Sequence, residues 1–233
     1  MLSIQDPTEP LPGLDYFEAR EQEVQAHVGS VYYEGLAEPI LLSQDLSGGC
    51  GGKIWESANV MIEYLIWKNQ HMEGKLFQDQ TLVEIGAGTG LVGLAVAKVC
   101  PQLRHLVITD QIPMMQLMQE NININQQAHL VSAEILNWGE SIPQDSRLLH
   151  ADVILVSDCI YLEVTFIPLF ETLLALTTKP DTIIYLAYRK RRKADKRFFQ
   201  MAKKKFVFTQ VQDHPKQAFY LKQSLYLFIV RRK

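Results

Sequence analysis

Cysteine is scarce in this sequence. Cys50, Cys100 and Cys159 are the full complement, odd in number and far apart. Without close Cys or Cys/His pairs there is no basis for a disulfide framework or a structural zinc site, and a reducing compartment is expected. No apolar run approaches the roughly 18 residues that span a bilayer, so no membrane partner is expected either. Met1 to Pro10 holds acidic residues and two prolines, where a secretory leader has positive charge and then about 7–15 apolar residues. The expected location is the cytoplasm, or the nucleus. Internal repeats and low-complexity tracts are absent. At 233 residues the chain is too short for two ordinary domains with linkers, so one core is expected.

No sign of charge dominates, and a net charge of −3 argues neither for nor against a nucleic-acid partner. An apolar share of 47% with 21% charged residues is the composition of a globular protein. The balance hides an asymmetry. Residues 1–63 carry eleven acidic side chains against only Arg20 and Lys53, whereas residues 189–205 carry ten basic ones against only Asp195. That basic segment reads either as a solvated helical face or as a rim that meets an acidic partner.

Residues 1–25, with Pro7, Pro10 and Pro12, read as an arm. Short alternating pieces at Val31-Tyr32-Tyr33 and Pro39-Ile40-Leu41-Leu42, with Gly35 between them, predict a β-hairpin ahead of the main fold. Gly48-Gly49-Cys50-Gly51-Gly52 predicts a flexible turn. The division expected is therefore residues 1–50 as arm and hairpin packed on a domain spanning 51–233. Ser57 is a candidate N-cap for a helix with Ala58, Met61, Ile62, Leu65 and Ile66 at helical spacing. Strand-like runs follow at Thr81–Ile85, Leu106–Thr109, Leu130–Leu136, Asp152–Val156, Thr182–Ala187, Phe206–Val211 and Leu225–Val230. Strands alternating with helical segments imply an α/β fold: a doubly wound, mostly parallel sheet, with ligands at the carboxyl ends of the strands.

Leu82-Val83-Glu84-Ile85-Gly86-Ala87-Gly88-Thr89-Gly90-Leu91 is a buried strand entering a glycine-rich turn that opens a helix. Such a turn lets backbone approach a ligand closely and aims free N–H groups at it. The dinucleotide fingerprint asks for glycines at 86, 88 and 91, but position 91 is Leu and the glycines run 86, 88, 90 and 93. S-adenosylmethionine (AdoMet) suits the turn better, because it has no pyrophosphate and offers an amino group, a sulfonium and a ribose diol to acidic side chains. Asp110 closes the next strand, where a carboxylate can accept both ribose hydroxyls; its competing role is N-cap of a helix starting near Pro113.

The run Glu84-Ile85-Gly86-Ala87-Gly88-Thr89-Gly90 resembles motif I of the class I (seven-β-strand, Rossmann-like) AdoMet-dependent methyltransferases. With Trp55, Asn121-Ile122-Asn123-Ile124-Asn125, Leu136-Asn137-Trp138-Gly139 and Ser157-Asp158-Cys159-Ile160-Tyr161, the chain looks like the METTL21-type protein-lysine methyltransferases over roughly residues 50–190. Within that group it is most similar to the fungal elongation factor methyltransferases that act on translation elongation factor 1-alpha. The resemblance implies cofactor contacts from Trp55, Glu84, Gly86, Ala87, Gly88, Asp110, Trp138 and Ser157. It also implies a catalytic pair in Asp158 and Tyr161 and a protein substrate; a monomer and no metal are expected. An indole at Trp138 can cover an adenine face and one at Trp55 can close the methionine end. Tyr188, before Arg189-Lys190-Arg191-Arg192-Lys193, is expected to line the lysine channel. Cys159 is read as a small buried residue rather than a nucleophile, since no base is evident. A nucleic-acid methyltransferase is disfavoured because Cys-Ile stands where enzymes acting on base amines place Pro-Pro and an aromatic. A small-molecule substrate and a binding module that keeps the fold as a scaffold are the remaining rivals.

Overall fold

The computed structural model describes residues 27–45 and 51–233. The arm expected over residues 1–25, Cys50 and most of the glycine turn lie outside the described residues. In chain order the elements are β1 (His27–Val31), β2 (Ile40–Gln44), α1 (Glu56–His71), β3 (Thr81–Ile85), α2 (Leu91–Val99), β4 (His105–Asp110), α3 (Met115–Ile124) and β5 (Val131–Ile135). They continue as β6 (Val153–Ser157), α4 (Phe166–Leu176), β7 (Ile183–Arg189), α5 (Asp195–Ala202), β8 (Phe206–Gln210), α6 (Gln217–Lys222) and β9 (Leu225–Arg232).

All seven apolar runs form strands of one sheet, ordered β5-β4-β3-β6-β7-β9-β8. The first five are mutually parallel, and β9 runs antiparallel to both its neighbours. Side chains alternate across the sheet and build a core on each face. Leu82, Leu106, Ile108 and Leu155 join the α1, α2 and α3 side, while Val83, Ile85, Val107, Ile154 and Val156 join the α4 and α5 side. Burial on both faces explains why these strands read as continuous Val/Ile/Leu runs. After β3 the chain steps outward through β4 and β5, then returns to place β6 on the other side of β3. The switch point between β3 and β6 opens a crevice at the strands' carboxyl ends. Among the described residues no helix is long and apolar enough to cross a membrane.

Two local expectations are corrected. The hairpin forms, but its first strand ends at Val31, so Tyr32 and Tyr33 belong to the connection. Ser57 does not cap α1: the cap position is Trp55, extended at φ −110° and ψ 144°, and the Ala58 amide already donates to the Trp55 carbonyl. Ser57 falls inside the first turn, buried, with its hydroxyl unpaired among the described residues.

The hairpin is tied to the domain by two asparagines one helical turn apart, Asn121 on α3 and Asn125 at its C-cap. Asn121 accepts the Ser43 amide hydrogen and donates to the Ser43 carbonyl; Asn125 does the same for Leu41. Residues two apart on β2 expose their backbone groups on the same edge, and side chains four apart on a helix share a face. The two amides therefore stand in for a neighbouring strand on the edge of β2. Asn121 Nδ2 also reaches the Thr89 carbonyl, which links the hairpin to the glycine-rich turn.

Candidate active site

A cavity of about 970 Å³ lies over the carboxyl ends of β3, β4 and β6. The turn after β3 forms its floor. Gly86 and Gly88 hold φ of +62° and +56°, where a side chain is strained. A Cβ on Gly86 would also come within 2.8 Å of Cys159 Sγ and of Trp138 Cζ2, and one on Gly88 within 2.5 Å of the Gly51 carbonyl oxygen. These glycines thus bring three chain segments together as well as clearing the floor. Ala87 between them donates its amide hydrogen to the Thr109 carbonyl, binding the turn to β4.

Glu84 alternates onto the α2 side of the sheet. There its Oε2 accepts the amide hydrogen of Gly93, the third residue of α2, at 2.7 Å. It is a helix-end contact supplied from the strand. Burial raises the Glu84 carboxyl from 4.5 to about 8, opposed by the Gly93 bond. Asp110, at the end of β4, accepts from the Gly88 amide at 2.8 Å through Oδ2 and from the Gln111 amide at 2.7 Å through Oδ1. The short 3-10 turn at Ile112–Met114 has no side-chain cap, so the capping alternative for Asp110 is not realised. Burial raises the Asp110 carboxyl as well.

The other walls come from loops. Trp138, half-buried after β5, stands over Gly86, and Trp55 at the start of α1 is 39% exposed at the mouth. Ser157 ends β6, and its hydroxyl oxygen is buried without a partner among the described residues. Asp158 and Tyr161 follow it and line the same cavity. Asp158 is buried with φ +57°, a left-handed conformation that Asp tolerates better than most residues. Cys159 Sγ is packed against the carbonyls of Ile85 and Ser157, and burial pushes its thiol well above the usual range. The thiol is not activated for attack.

Tyr188 departs from expectation. It is buried away from the cavity, with its hydroxyl donating to Asp195 and its ring against Phe199 and Tyr226. The residue that lines the cavity in its stead is Arg191, which sequence reasoning left within a charge run. Its guanidinium donates to both oxygens of Asp158, at 2.6 and 2.5 Å, and lies 5.5 Å from the Trp55 ring centre. No local signal joins residues 33 positions apart.

The cavity combines a flat aromatic face, a two-oxygen acceptor at Asp110, a buried acid at Glu84 and an orphaned hydroxyl at Ser157. These fit a ligand with a planar base, a diol and a cationic end, and the volume lies in the range of about 300–1,000 Å³ usual for such ligands. A family model described as lysine methyltransferase matches residues 36–205. The chain belongs to the lysine methyltransferase family. It is 36% identical to the protein-lysine N-methyltransferase EFM6 of Saccharomyces cerevisiae, covering 79% of this chain and 82% of that one. It is 34% identical to the protein N-lysine methyltransferase METTL21A of Xenopus tropicalis, over the same shares. Among solved structures, P. horikoshii TYW2 in complex with MeSAdo superposes with a TM-score of 0.54 at 16% identity, covering 89% of this chain and 72% of that chain. The dimethyltransferase RosA of Streptomyces davawensis gives 0.51 at 12% identity, covering 75% of this chain and 56% of the larger enzyme. These last two bear on the fold alone. The methyltransferase is thus a protein-lysine N-methyltransferase with AdoMet as its cofactor and a protein as its substrate.

Proposed function

We propose that this methyltransferase modifies a lysine of translation elongation factor 1-alpha, as a monomer in the cytoplasm, with residues 51–233 as the catalytic domain. The hairpin of residues 27–44 is docked on it. The target rests on the sequence's resemblance to the fungal elongation factor methyltransferases. The convergence of Asp110, Trp138, Asp158 and Tyr161 on one cavity is the observation that carries the site assignment.

AdoMet, when bound, supplies an electrophilic methyl group on a sulfonium. Trp138 covers its adenine, the Asp110 oxygens accept the ribose hydroxyls, and the Ser157 hydroxyl gains a partner. Gly86, Ala87 and Gly88 give it a floor without protruding side chains. Glu84 faces its amino group through the oxygen that Gly93 leaves unused, and Trp55 closes the mouth. The chemical demand on the protein is set by the lysine. With a reference pKa of about 10.4, only about one amine in 2,500 is neutral at pH 7, a cost of about 4.6 kcal/mol. Asp158 and the Tyr161 hydroxyl orient the amine so that its lone pair faces the methyl donor, and alignment supplies much of the rate. The cationic neighbourhood favours loss of the amine proton. No covalent enzyme intermediate is needed, and the protonated Cys159 thiol takes no part.

The test incubates purified enzyme and labelled AdoMet with cytosolic extract from cells lacking it, with Asp158→Ala as control. A protein band at the size of elongation factor 1-alpha, lost in Asp158→Ala although AdoMet binding is retained, is the expected result. A dependent band at a chaperone or an AAA ATPase would keep the lysine chemistry and replace the target. Label confined to RNA or small molecules would overturn the reading.

A further inference from the structure

Glu56 is paired with Arg189 and Glu163 with Arg197, which leaves Asp158 as the partner of Arg191. Arg192 and Lys193 are exposed, and their side chains have no carboxylate partner among the described residues. The Arg191–Asp158 contact is also built rather than incidental. Its two parallel N–H···O bonds use the planar fork of the guanidinium, and the Trp55 face backs it. The Arg191 backbone is pinned from behind: buried Asp195 accepts the amide hydrogens of Arg191 and Arg192 and the Tyr188 hydroxyl, all at 3.1 Å through one oxygen.

A lysine that reaches Asp158 therefore meets a cation already seated on both oxygens, with Arg192 lining the same cavity. One carboxylate then serves two positive groups. The Arg191 side chain, 29% exposed, loses its hydrogen-bonded counter-charge and keeps only the more distant Asp195. Separating a partly buried pair without replacement is unfavourable, and a complementary charge on the incoming partner removes that penalty.

We propose that Arg191 is a specificity-determining residue: the target lysine takes Asp158 from it, and an acidic side chain of the substrate, close to that lysine, takes the guanidinium. The substrate class is thereby a lysine with a carboxylate beside it, on a surface whose acidic character also suits Arg192 and Lys193. A lysine in a neutral or basic setting leaves Arg191 uncompensated and is rejected. This exchange rests on the reading that Asp158 receives the lysine.

The experiment is a double-mutant cycle on the protein that carries the label in the extract. With its methylated lysine mapped by mass spectrometry, the nearest Asp or Glu is changed to Asn or Gln, and both substrate forms are assayed with wild-type, Arg191→Met and Arg191→Lys enzymes. The expected result is a loss of about tenfold or more in kcat/KM for wild type on the neutralised substrate, carried by KM. Arg191→Met should show no further loss on that substrate, and Arg191→Lys should recover part of the discrimination. Equal losses with wild type and Arg191→Met, a target lysine with no acid in reach, or an Arg191→Met enzyme faster on both substrates would each overturn the exchange. AdoMet binding by calorimetry reports that each variant is folded, and Arg191→Lys carries the same cycle should Arg191→Met fail that check. Full turnover by Asp158→Ala would instead overturn the reading beneath it.

Discussion

The Glu84 carboxylate accepts the amide hydrogen of Gly93 at 2.7 Å, and a Cβ added to Gly93 would meet that same carboxylate oxygen at 2.7 Å. Strand β3 and helix α2 are thus joined by an acid that reaches the helix backbone where a side chain is missing. Position 93, the last glycine of the motif, has no room for a side chain, because a Cβ there would also meet Ile108 Cγ2 at 2.4 Å and Leu106 Cδ2 at 3.0 Å.

A pH dependence follows from the burial of this acid. Its value is raised from 4.5 to about 8, so the folded protein keeps a proton that the unfolded chain releases between those limits. The resulting stability is complete below 4.5 and is lost as pH rises through about 8. Glu84→Gln, which resembles the protonated form, should flatten the fall in urea midpoint between pH of about 5 and about 8. Parallel curves for wild type and variant would show that Glu84 is ionised throughout.

Gly86→Ala tests the floor of the cavity. The new methyl would press on Cys159 Sγ and Trp138 Cζ2 while φ stays at +62°. Strain and overpacking should cost about 1–3 kcal/mol in chemical denaturation. AdoMet affinity should fall more than stability alone explains, because Trp138 must move. Calorimetry that finds unchanged affinity would remove Trp138 from the cofactor's environment.

Asn121→Ala should be among the more damaging single changes outside the cavity. It strands the Ser43 amide and carbonyl and the Thr89 carbonyl, all of which Asn121 now satisfies. Unsatisfied buried groups of this kind predict a loss of about 3 kcal/mol. Hydrogen exchange should speed up at Ser43 before it does in the central strands. Protection that stays uniform would mean the hairpin docks through apolar contacts alone.

Cys159→Ala should retain methyl transfer within a few-fold, and native enzyme should resist alkylation at Cys159. Burial holds that thiol protonated and the side chain is only 3% exposed. Rapid modification with matching loss of activity would restore the nucleophile reading.

Local order determined what the sequence could reveal. Continuous Val/Ile/Leu runs mark strands buried on both faces, so all seven strands of the sheet were legible within a residue or two, as was the glycine turn after Ile85. Asp110 and Asp158 could be picked out as candidates because they sit at strand ends, where ligands bind in α/β sheets. Capping and loop geometry were not. Ser57 has a capping side chain, yet the helix begins two residues too early for it to act. Asn121 and Asn125 carried a recognisable motif whose work, completing the edge of β2 across 78 and 84 positions, appears only when α3 is docked. Tyr188 and Arg191 exchanged expected places for the same reason. A seven-residue strand aims alternate side chains to opposite faces, and the loop beyond it, pinned by buried Asp195, turns Arg191 back over Asp158. Periodicity fixes which elements form, because it reports burial along one segment. The pairing of distant charges is decided only when the sheet brings the ends of β6 and β7 side by side.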